Sequence, residues 1–339
     1  MAKVIVLGSG GFGLAVAMSL NSTGNDVTVW SAFKSEIDDI KRDGENKAKL
    51  PGVHIPDAIA LTDDISDVKG KDLVVFGIPV NFVRDVAKQA APYIEEDAVV
   101  VNTGKGLEKG SLKRMSEVIS EEIGKPTTVL TGPSHAEEVA RGIPTTIVAA
   151  SSRHEDAQFV QEIMNSPTLR IYLNDDVVGC EIGGAFKNII ALCAGISDGM
   201  GLGDNTKAAL MTRGIWEIST LGKAMGGKTE TFAGLTGIGD LIVTCTSMHS
   251  RNRRAGILIG QGTDPAEAVK QIGTVEGYLC AEAAYELSRK LGVCMPITEQ
   301  CYHVLFKGKS PHDALHELMC RPKRSETEAA FCDWQREHK

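Results

Sequence analysis

A lysine lies in the middle of a strongly apolar helical pattern in this sequence of 339 residues. The stretch CEIGGAFKNIIALCAGISDGM covers 180–200, and apolar residues such as Phe186 and Ile190 recur at helical spacing, which predicts a buried helix. Lys187 and Asn188 interrupt that pattern, although lysine is almost never fully buried unless it is paired or used. Desolvation would lower the pKa of Lys187, and such an amine can exchange a proton near neutral pH.

Small residues lie within two turns of Lys187 on the same predicted helix: Gly183, Gly184, Ala191 and Ala194. A face of small side chains allows close approach by a second body. That body is either another helix of the chain or a substrate, and the sequence leaves both readings open.

A second lysine, Lys105, stands between glycines in NTGKGLEKGS, after a strand pattern over 98–102. Loops at the carboxyl ends of parallel strands are where ligands bind in such sheets. Lys105 is therefore either a substrate contact or a solvated loop lysine. As a second cation near Lys187, it would lower the pKa of Lys187 further.

The segment 234–256, GLTGIGDLIVTCTSMHSRNRRAG, adds an acid and an anion-binding pattern. Asp240 could be a helix N-cap, the usual function of an aspartate there, or it could pair with Lys187. Thr244 follows one turn later. The group Ser250, Arg251 and Asn252 is either a surface charge cluster or a clamp that holds a phosphate, since arginine makes bidentate contacts.

A glycine loop, residues 8–13, follows the first strand pattern and opens a helical one. Its spacing is G-x-G-x-x-G at Gly8, Gly10 and Gly13, which in this context predicts dinucleotide binding. Gly8 permits the tight turn, Gly10 lets a pyrophosphate approach the main chain, and Gly13 allows close helix packing. The helix N-terminus supplies N–H groups for the phosphates.

The end of the second strand pattern bears on cofactor choice. An NAD-specific site would carry an acid there, but the chain has Ser31 and Lys34 after Trp30, with no acid before Glu36. Ser31 and Lys34 could accept a 2′-phosphate, which favours NADP(H) with NAD(H) as an alternative. Lys34 is equally consistent with a solvated surface lysine.

Strand and helix patterns alternate along the first half of the chain. Strand patterns cover 3–8, 26–30, 72–79, 98–104, 128–134, 145–150 and 169–173, and helical patterns such as 12–24, 80–91 and 111–123 lie between them. This alternation predicts an α/β fold with a Rossmann-like, doubly wound, mostly parallel sheet.

The later half of the chain has long helical patterns and no clear strands. The patterns cover 176–198, 206–226, 280–291 and 296–306. We therefore predict an all-α C-terminal domain, with a dinucleotide-binding domain over 1–179, a helical substrate-binding and catalytic domain over 180–320, and a charged, loosely packed tail over 321–339.

Composition excludes several classes of protein. A net charge of −8 and a pI of about 5.6 leave no basic excess for nucleic acid. The eight cysteines include no CxxC pair, which argues against a zinc site or a disulfide scaffold and suits a reducing compartment. No apolar run approaches the roughly 20 residues of a membrane span, and no metal site is predicted. We expect a cytoplasmic protein without a secretory leader.

The chain resembles the NAD(P)-dependent glycerol-3-phosphate dehydrogenases of the bacterial type. The matching segments follow in family order: GSGGFG (8–13), TGKGLE (103–108), TGPSHAEEVARGIPT (131–145), GGAFKNIIALCAGISDG (183–199), GIGDL (237–241), TCTSMHSRNRRAG (244–256) and VEG (275–277). The resemblance implies interconversion of sn-glycerol 3-phosphate and dihydroxyacetone phosphate with NADP or NAD. It also implies a supply of glycerol 3-phosphate for phospholipid synthesis, and a homodimer.

The same resemblance implies roles for individual residues. Lys187 would exchange the proton at the substrate C2 oxygen, Lys105 would be the second substrate lysine, and Asp240 their acidic partner. The remaining implied substrate contacts are Gly132, Ser134, Asn188, Thr244, Ser250, Arg251 and Asn252. The cofactor contacts that the resemblance implies are Gly11, Phe12, Ala136, Arg251, Val275 and Glu276. They join the candidates Gly8, Gly10, Gly13, Ser31, Lys34 and Lys105, which come from the glycine loop, the end of the second strand pattern and the loop after 98–102.

Two other functions are considered beside this one. A β-hydroxyacid or 6-phosphogluconate-type dehydrogenase also joins a Rossmann domain to a helical domain. Its lysine and asparagine are one helical turn apart, whereas Lys187 and Asn188 are adjacent. A nicotinamide-binding sensor without catalysis would keep the glycine loop but would not need Lys105, Lys187 and Asp240 together.

Overall fold

The computed structural model describes residues 1–323 and Glu326. Residues 324, 325 and 327–339, most of the predicted tail, lie outside the described residues. The chain divides into two compact units. The first consists of Met1–Glu108 and Lys113–Val177, and the second begins at Val178 and includes Lys109–Leu112.

The first unit is built on one eight-stranded sheet in the order β3-β2-β1-β4-β5-β6-β7-β8. All neighbouring strands are parallel except the antiparallel pair β6 and β7. The strands are β1 Lys3–Leu7, β2 Asp26–Trp30, β3 Ala60–Thr62, β4 Leu73–Phe76, β5 Val99–Asn102, β6 Thr128–Thr131, β7 Thr145–Ala150 and β8 Leu169–Asn174.

Both faces of this sheet are covered, which explains why its central strands β1, β4 and β5 are apolar at nearly every position. In β1, Val4 and Val6 point to one hydrophobic cluster, while Ile5 and Leu7 point to the other. The helices of this unit are α1 Gly11–Ser22, α2 Lys34–Asp43, α3 Val83–Ala90, α4 Met115–Ile123, α5 Ala136–Ala140 and α6 His154–Met164.

In the second unit, the described residues form helices joined by turns and loops, with no β-strand among them. Its helices are α7 Val177–Gly199, α8 Asp204–Ala224, α9 Thr229–Phe232, α10 Asp240–Thr246, α11 Arg251–Gly260, α12 Pro265–Ile272, α13 Glu276–Leu291, α14 Pro296–Phe306 and α15 Pro311–Met319. The predicted fold class, a mostly parallel α/β sheet followed by a helical region, is confirmed.

The long apolar helix α7 corrects the expectation that no apolar run approaches the length of a membrane span. Among the described helices, this one of 23 residues is long and apolar enough to cross a membrane by length and composition. In its most apolar stretch of 18 residues, 83% is nevertheless buried inside the protein. A helix covered in this way by its own chain has the character of a core helix.

Candidate active site

Lys187 lies near the middle of α7 and is almost fully enclosed, with 5% of its surface exposed. Its Nζ donates to Asp240 Oδ1 at 2.5 Å and to Thr244 Oγ1 at 2.7 Å. Thr244 Oγ1 in turn donates to the Asp240 carbonyl at 2.6 Å. We call Lys187, Asp240 and Thr244 the lysine centre. An ammonium group with a carboxylate and a hydroxyl is stable in such a place, because its charge is paired.

The small-residue face of α7 brings the acid to the lysine. A Cβ atom at Gly183 would lie 2.6 Å from the Thr236 carbonyl, so only glycine permits this backbone contact. Gly183 is one turn before Lys187, and Thr236 is one turn before Asp240. At Gly183, the small-residue face of α7 therefore packs against the backbone of the same chain. A π-helical turn, Leu235–Gly239, directly precedes α10, and such turns are frequent at functional sites.

Asp240 does not act as a side-chain N-cap. It is the first residue of α10, whose N-cap position, Gly239, makes no side-chain capping bond. With only 1% of its surface exposed, its carboxylate turns to Lys187 instead. The sequence left Asp240 as either a helix N-cap or a partner of Lys187. The structure shows the ion pair with Lys187.

A chain of hydrogen bonds runs beside the lysine centre through Asn188. Asn188 Nδ2 donates to Glu276 Oε2 at 2.9 Å, and Asn252 Nδ2 donates to Asn188 Oδ1 at 3.0 Å. Asn252 Oδ1 then accepts from the Gly277 amide at 2.7 Å. Val275, buried, is the N-cap residue of α13 just before Glu276. Residues from α7, α11 and α13 that were predicted separately thus form one polar network.

The predicted phosphate segment begins α11. Ser250 is its N-cap, and the Ser250 Oγ accepts from the Arg253 amide at 3.2 Å. Arg251 is the exposed first helical residue, and no described residue forms an ion pair or hydrogen bond with its side chain. Arg253 is instead structural, because it bonds Asp198 and the Thr246 carbonyl. The helix N-terminus and the exposed guanidinium form a suitable anion site.

Cys245, on α10 beside the lysine centre, is an inert neighbour. Burial raises the pKa of its thiol to about 12, although the Lys187 charge opposes this. The thiol stays neutral at physiological pH. In the part of the chain that the structure describes, no group of three or more His, Cys, Asp or Glu side chains could hold a metal ion.

In the first unit, Lys105 and the loop after β6 meet at one carbonyl. Lys105 Nζ donates to the Gly132 oxygen at 2.9 Å, and Ser134 Oγ donates to the same oxygen at 3.0 Å. Gly132 has a φ of +137°, which favours glycine. Three predicted substrate residues of this unit, Lys105, Gly132 and Ser134, are thus assembled at the carboxyl end of the sheet.

The glycine loop has the space that a dinucleotide needs. Gly8 has a φ of +128°, and a Cβ at Gly13 would lie 2.3 Å from the Gly8 carbonyl, so the loop and α1 are in backbone contact. By contrast, a Cβ at Gly10 would meet nothing closer than the Gly77 carbonyl at 4.0 Å. The N-terminus of α1 carries no side-chain cap. Open backbone at an uncapped helix N-terminus fits a pyrophosphate.

Other predicted cofactor residues surround this loop. A Cβ at Gly11 would lie 2.8 Å from the Lys49 carbonyl and 3.5 Å from Ala136 Cβ, and Phe12 is partly buried against the core. Lys34 is the exposed first residue of α2. Ser31 is buried, and its hydroxyl donates to Glu36 Oε2 at 3.0 Å. The sequence pattern marks Glu36 only as the first acid after β2 and assigns it no role, although it lies in the first turn of α2.

Comparison with known proteins gives full-length similarity to one family. The family model for the NAD-dependent glycerol-3-phosphate dehydrogenase N-terminus matches residues 3–157, and the model for its C-terminus matches residues 176–316. A glycerol-3-phosphate dehydrogenase using NAD(P)+ from Desulfitobacterium hafniense (strain Y51) is 50% identical over 330 residues, covering 97% of this chain and 94% of that protein. The corresponding protein of Pelotomaculum thermopropionicum is 52% identical over 332 residues, and the match covers 96% of this chain and 95% of that protein.

A solved structure agrees with the sequence relatives. The crystal structure of glycerol-3-phosphate dehydrogenase from Coxiella burnetii has a TM-score of 0.91 and 36% sequence identity, and the match covers 94% of this chain and 99% of that one. The glycine loop on a Rossmann-like sheet, followed by a helical unit, defines an NAD(P)-dependent oxidoreductase that acts on a small molecule. Within that class, the chain belongs to the NAD-dependent glycerol-3-phosphate dehydrogenase family.

Proposed function

We propose that Lys187 exchanges the proton at the C2 oxygen when sn-glycerol 3-phosphate and dihydroxyacetone phosphate are interconverted. The observation that carries this proposal is the buried Lys187 Nζ, held by Asp240 Oδ1 at 2.5 Å and Thr244 Oγ1 at 2.7 Å. Packing alone does not require an amine at the centre of α7. An enclosed, positioned amine is suited to general acid–base catalysis.

The nicotinamide cofactor supplies the hydride exchange at C2. In oxidation, Lys187 as a neutral amine accepts the hydroxyl proton. In reduction, Lys187 as an ammonium donates a proton to the developing alkoxide. Burial disfavours an unpaired charge on this amine, and the Asp240 carboxylate pairs with its ammonium form. Thr244 fixes the direction of Nζ.

The remaining residues bind and orient in this proposal. Lys105 stabilises the negative oxygen, and Gly132 and Ser134 line the substrate. Asn188 orients the substrate hydroxyls, and Ser250, Arg251 and Asn252 hold the phosphate, so that binding energy from a remote group positions the reacting carbon. The cofactor contacts are Gly8, Gly10, Gly11, Phe12, Gly13, Ser31, Lys34, Lys105, Ala136, Arg251, Val275 and Glu276.

The wider biological setting is proposed on the same basis. We assign the dinucleotide-binding domain to 1–179 and the substrate-binding and catalytic domain to 180–320. The enzyme would be a cytoplasmic homodimer that supplies glycerol 3-phosphate for phospholipid synthesis. These statements rest on family membership and on the acidic, cysteine-scattered composition.

The test is the loss of reduced-cofactor absorbance with dihydroxyacetone phosphate, for the wild type and Lys187→Ala. We expect turnover by the wild type and a loss of more than about a hundredfold in kcat for the variant, which is the usual scale of a general acid–base. Cofactor affinity, measured by titration, should be unchanged.

Lys207→Ala is the matched control. Lys207 also forms an ion pair, partly buried, with Asp198 at 2.7 Å, and it makes no hydrogen bond to the lysine centre. Its kcat should stay within a fewfold of the wild type. Near wild-type turnover of a folded Lys187→Ala protein would remove Lys187 from the mechanism. Cofactor binding by the wild type without any turnover would support the sensor alternative.

A further inference from the structure

The Glu36 carboxylate is held between two serine hydroxyls. Ser9 Oγ donates to Glu36 Oε2 at 2.5 Å, and Ser31 Oγ donates to the same oxygen at 3.0 Å. Ser9 belongs to the glycine loop, and Ser31 directly follows β2. Both serines are buried, with 2% and 3% of their surfaces exposed, while Glu36 is half-buried. The carboxylate therefore lies at the junction between the loop and the strand end.

This junction is fixed by further hydrogen bonds. The Gly8 amide donates to the Trp30 carbonyl at 2.8 Å, which ties the loop to the end of β2. Asn46 Nδ2 donates to the Ser9 carbonyl at 2.9 Å from the other side. Because the loop, the strand end and the acid are tied together, the carboxylate has a defined position relative to a bound dinucleotide.

The carboxyl end of β2 is where the adenosine ribose lies in a Rossmann sheet, and an acid there accepts a hydrogen bond from the 2′-hydroxyl. In this chain a serine, Ser31, directly follows the strand, and the acid reaches that point from the first turn of α2. Both serine bonds go to Oε2. No described residue donates to Oε1, so this oxygen can accept from a ribose hydroxyl.

We propose that Glu36 is a specificity-determining residue that makes this enzyme prefer NAD(H) over NADP(H). The inference rests on the proposed cofactor site at the glycine loop. A phosphate monoester carries about −1.5 to −2 charges at pH 7, and the fixed carboxylate would repel it. This preference reverses the expectation drawn from Ser31 and Lys34.

Lys34 is the competing group, because a cation at the same strand end could attract a 2′-phosphate. It is exposed, and no described residue holds its side chain in place. Exposed ion pairs contribute little, since solvent screens the charges and the long side chain loses entropy. Glu36 is half-buried and positioned by two donors, so its repulsion outweighs the attraction of Lys34.

The experiment measures the dissociation constants of NAD+ and NADP+ by calorimetric titration without substrate. The wild type should bind NAD+ about tenfold more tightly than NADP+ or better. Glu36→Gln keeps an acceptor for the serines and removes the charge. It should raise NADP+ affinity about tenfold, while NAD+ affinity changes by less than about threefold.

Asp38→Asn is the matched control, because it removes one negative charge from an exposed position on the same helix. The NAD+ and NADP+ affinities of Asp38→Asn should both stay within twofold of the wild-type values. Lys34→Gln should also leave their ratio within about twofold.

Three results would each overturn the inference: a wild type that prefers NADP+, a Glu36→Gln protein with an unchanged affinity ratio, or a Lys34→Gln protein that loses far more affinity for NADP+ than for NAD+. Turnover is measured separately on the same proteins. An inactive enzyme with the expected affinity ratios would disprove the function of Lys187 and leave the role of Glu36 intact.

Discussion

The glycine loop of the first unit and the lysine centre of the second unit are built from different parts of the chain. The loop consists of consecutive residues, 8–13, and its function depends on backbone atoms that side chains would cover. The lysine centre consists of side chains, and Lys187 and Asp240 are 53 residues apart in sequence. One region is local and made of main chain, whereas the other is assembled from distant helices.

This difference determines how each region should respond to substitution. In the loop, an added methyl group is the disruptive change. At Gly8 and Gly13 the backbone contact leaves no room for it, and at Gly10 it would cover the backbone that a pyrophosphate approaches. In the lysine centre, the loss or neutralisation of one functional group is disruptive, because a buried charge would lose its partner. Substitutions in the two regions should therefore affect different measured quantities.

After Lys187→Ala, the largest effect is expected for Asp240→Asn. The amide keeps the size of the side chain but removes the charge that pairs with Lys187. We expect kcat to fall about a hundredfold, since the amine is no longer held and balanced for proton exchange. Steady-state kinetics with dihydroxyacetone phosphate and a cofactor titration provide the measurement.

Thr244→Ser is the companion variant, because it retains the hydroxyl that accepts from Lys187 Nζ. It should keep kcat within a few-fold of the wild type. An Asp240→Asn protein that loses cofactor affinity as much as kcat would show that the lysine centre is a structural element rather than a catalytic one.

In the glycine loop, Gly13→Ala and Gly10→Ala should separate packing from binding. A Cβ at Gly13 would lie 2.3 Å from the Gly8 carbonyl, so we expect a lower melting temperature and at least about tenfold weaker cofactor binding. A Cβ at Gly10 has open space, with its nearest atom at 4.0 Å.

Gly10→Ala should therefore keep the melting temperature of the free protein and weaken only the cofactor, whose pyrophosphate approaches that backbone. Thermal unfolding with and without cofactor checks both variants. If Gly10→Ala binds the cofactor as tightly as the wild type does, the pyrophosphate does not lie over the loop.

Arg251→Ala should affect substrate binding more than the chemical step. Arg251 is exposed at the start of α11 and holds no described side chain, so its removal should not disturb the fold. We expect KM for dihydroxyacetone phosphate to rise about tenfold, because one charge-assisted contact to phosphate is lost. Unphosphorylated dihydroxyacetone is the control substrate, and its weak turnover should be unchanged. An equal loss with both substrates would show that Arg251 acts on the cofactor and not on the substrate phosphate.

The smallest effect concerns another buried acid of the helical unit, Glu217, which forms no ion pair with any described residue. Glu217 on α8 accepts from the Ile297 and Thr298 amides at the start of α14. Burial raises the pKa of Glu217 to about 8 from 4.5, although those hydrogen bonds oppose the shift. The unfolded chain releases this proton at lower pH than the folded chain does. The contribution of Glu217 to stability therefore declines as pH rises from about 4.5 to about 8.

Glu217→Gln should remove that slope, which is at most about 1.4 kcal/mol per pH unit. Melting temperatures at pH 5, 6.5 and 8 provide the measurement, and the wild type should lose more than the variant across this range. Parallel curves for the two proteins would show that Glu217 does not titrate in this window.

Local features were accessible from the sequence. Strand β1 and helix α1 were predictable because their apolar residues recur with a fixed period. The glycine loop was predictable because the backbone needs glycine at those spacings for the turn, the phosphate approach and the helix packing. Lys187 was identified because it breaks the apolar pattern of α7. The three-residue strand β3 and the polar helix α2 were missed, since short or polar elements carry little periodic signal.

The sequence by itself determined the alternation of strands and helices, the glycine loop and the presence of an amine in an apolar helix, because these depend on residues within a few positions of one another. Only the tertiary structure decided that Asp240 pairs with Lys187 rather than capping a helix, and that Ser9 and Ser31 hold Glu36. The physical reason is that these contacts join distant segments. They form only when backbone packing, such as that of Gly183 against Thr236, brings those segments within hydrogen-bond distance.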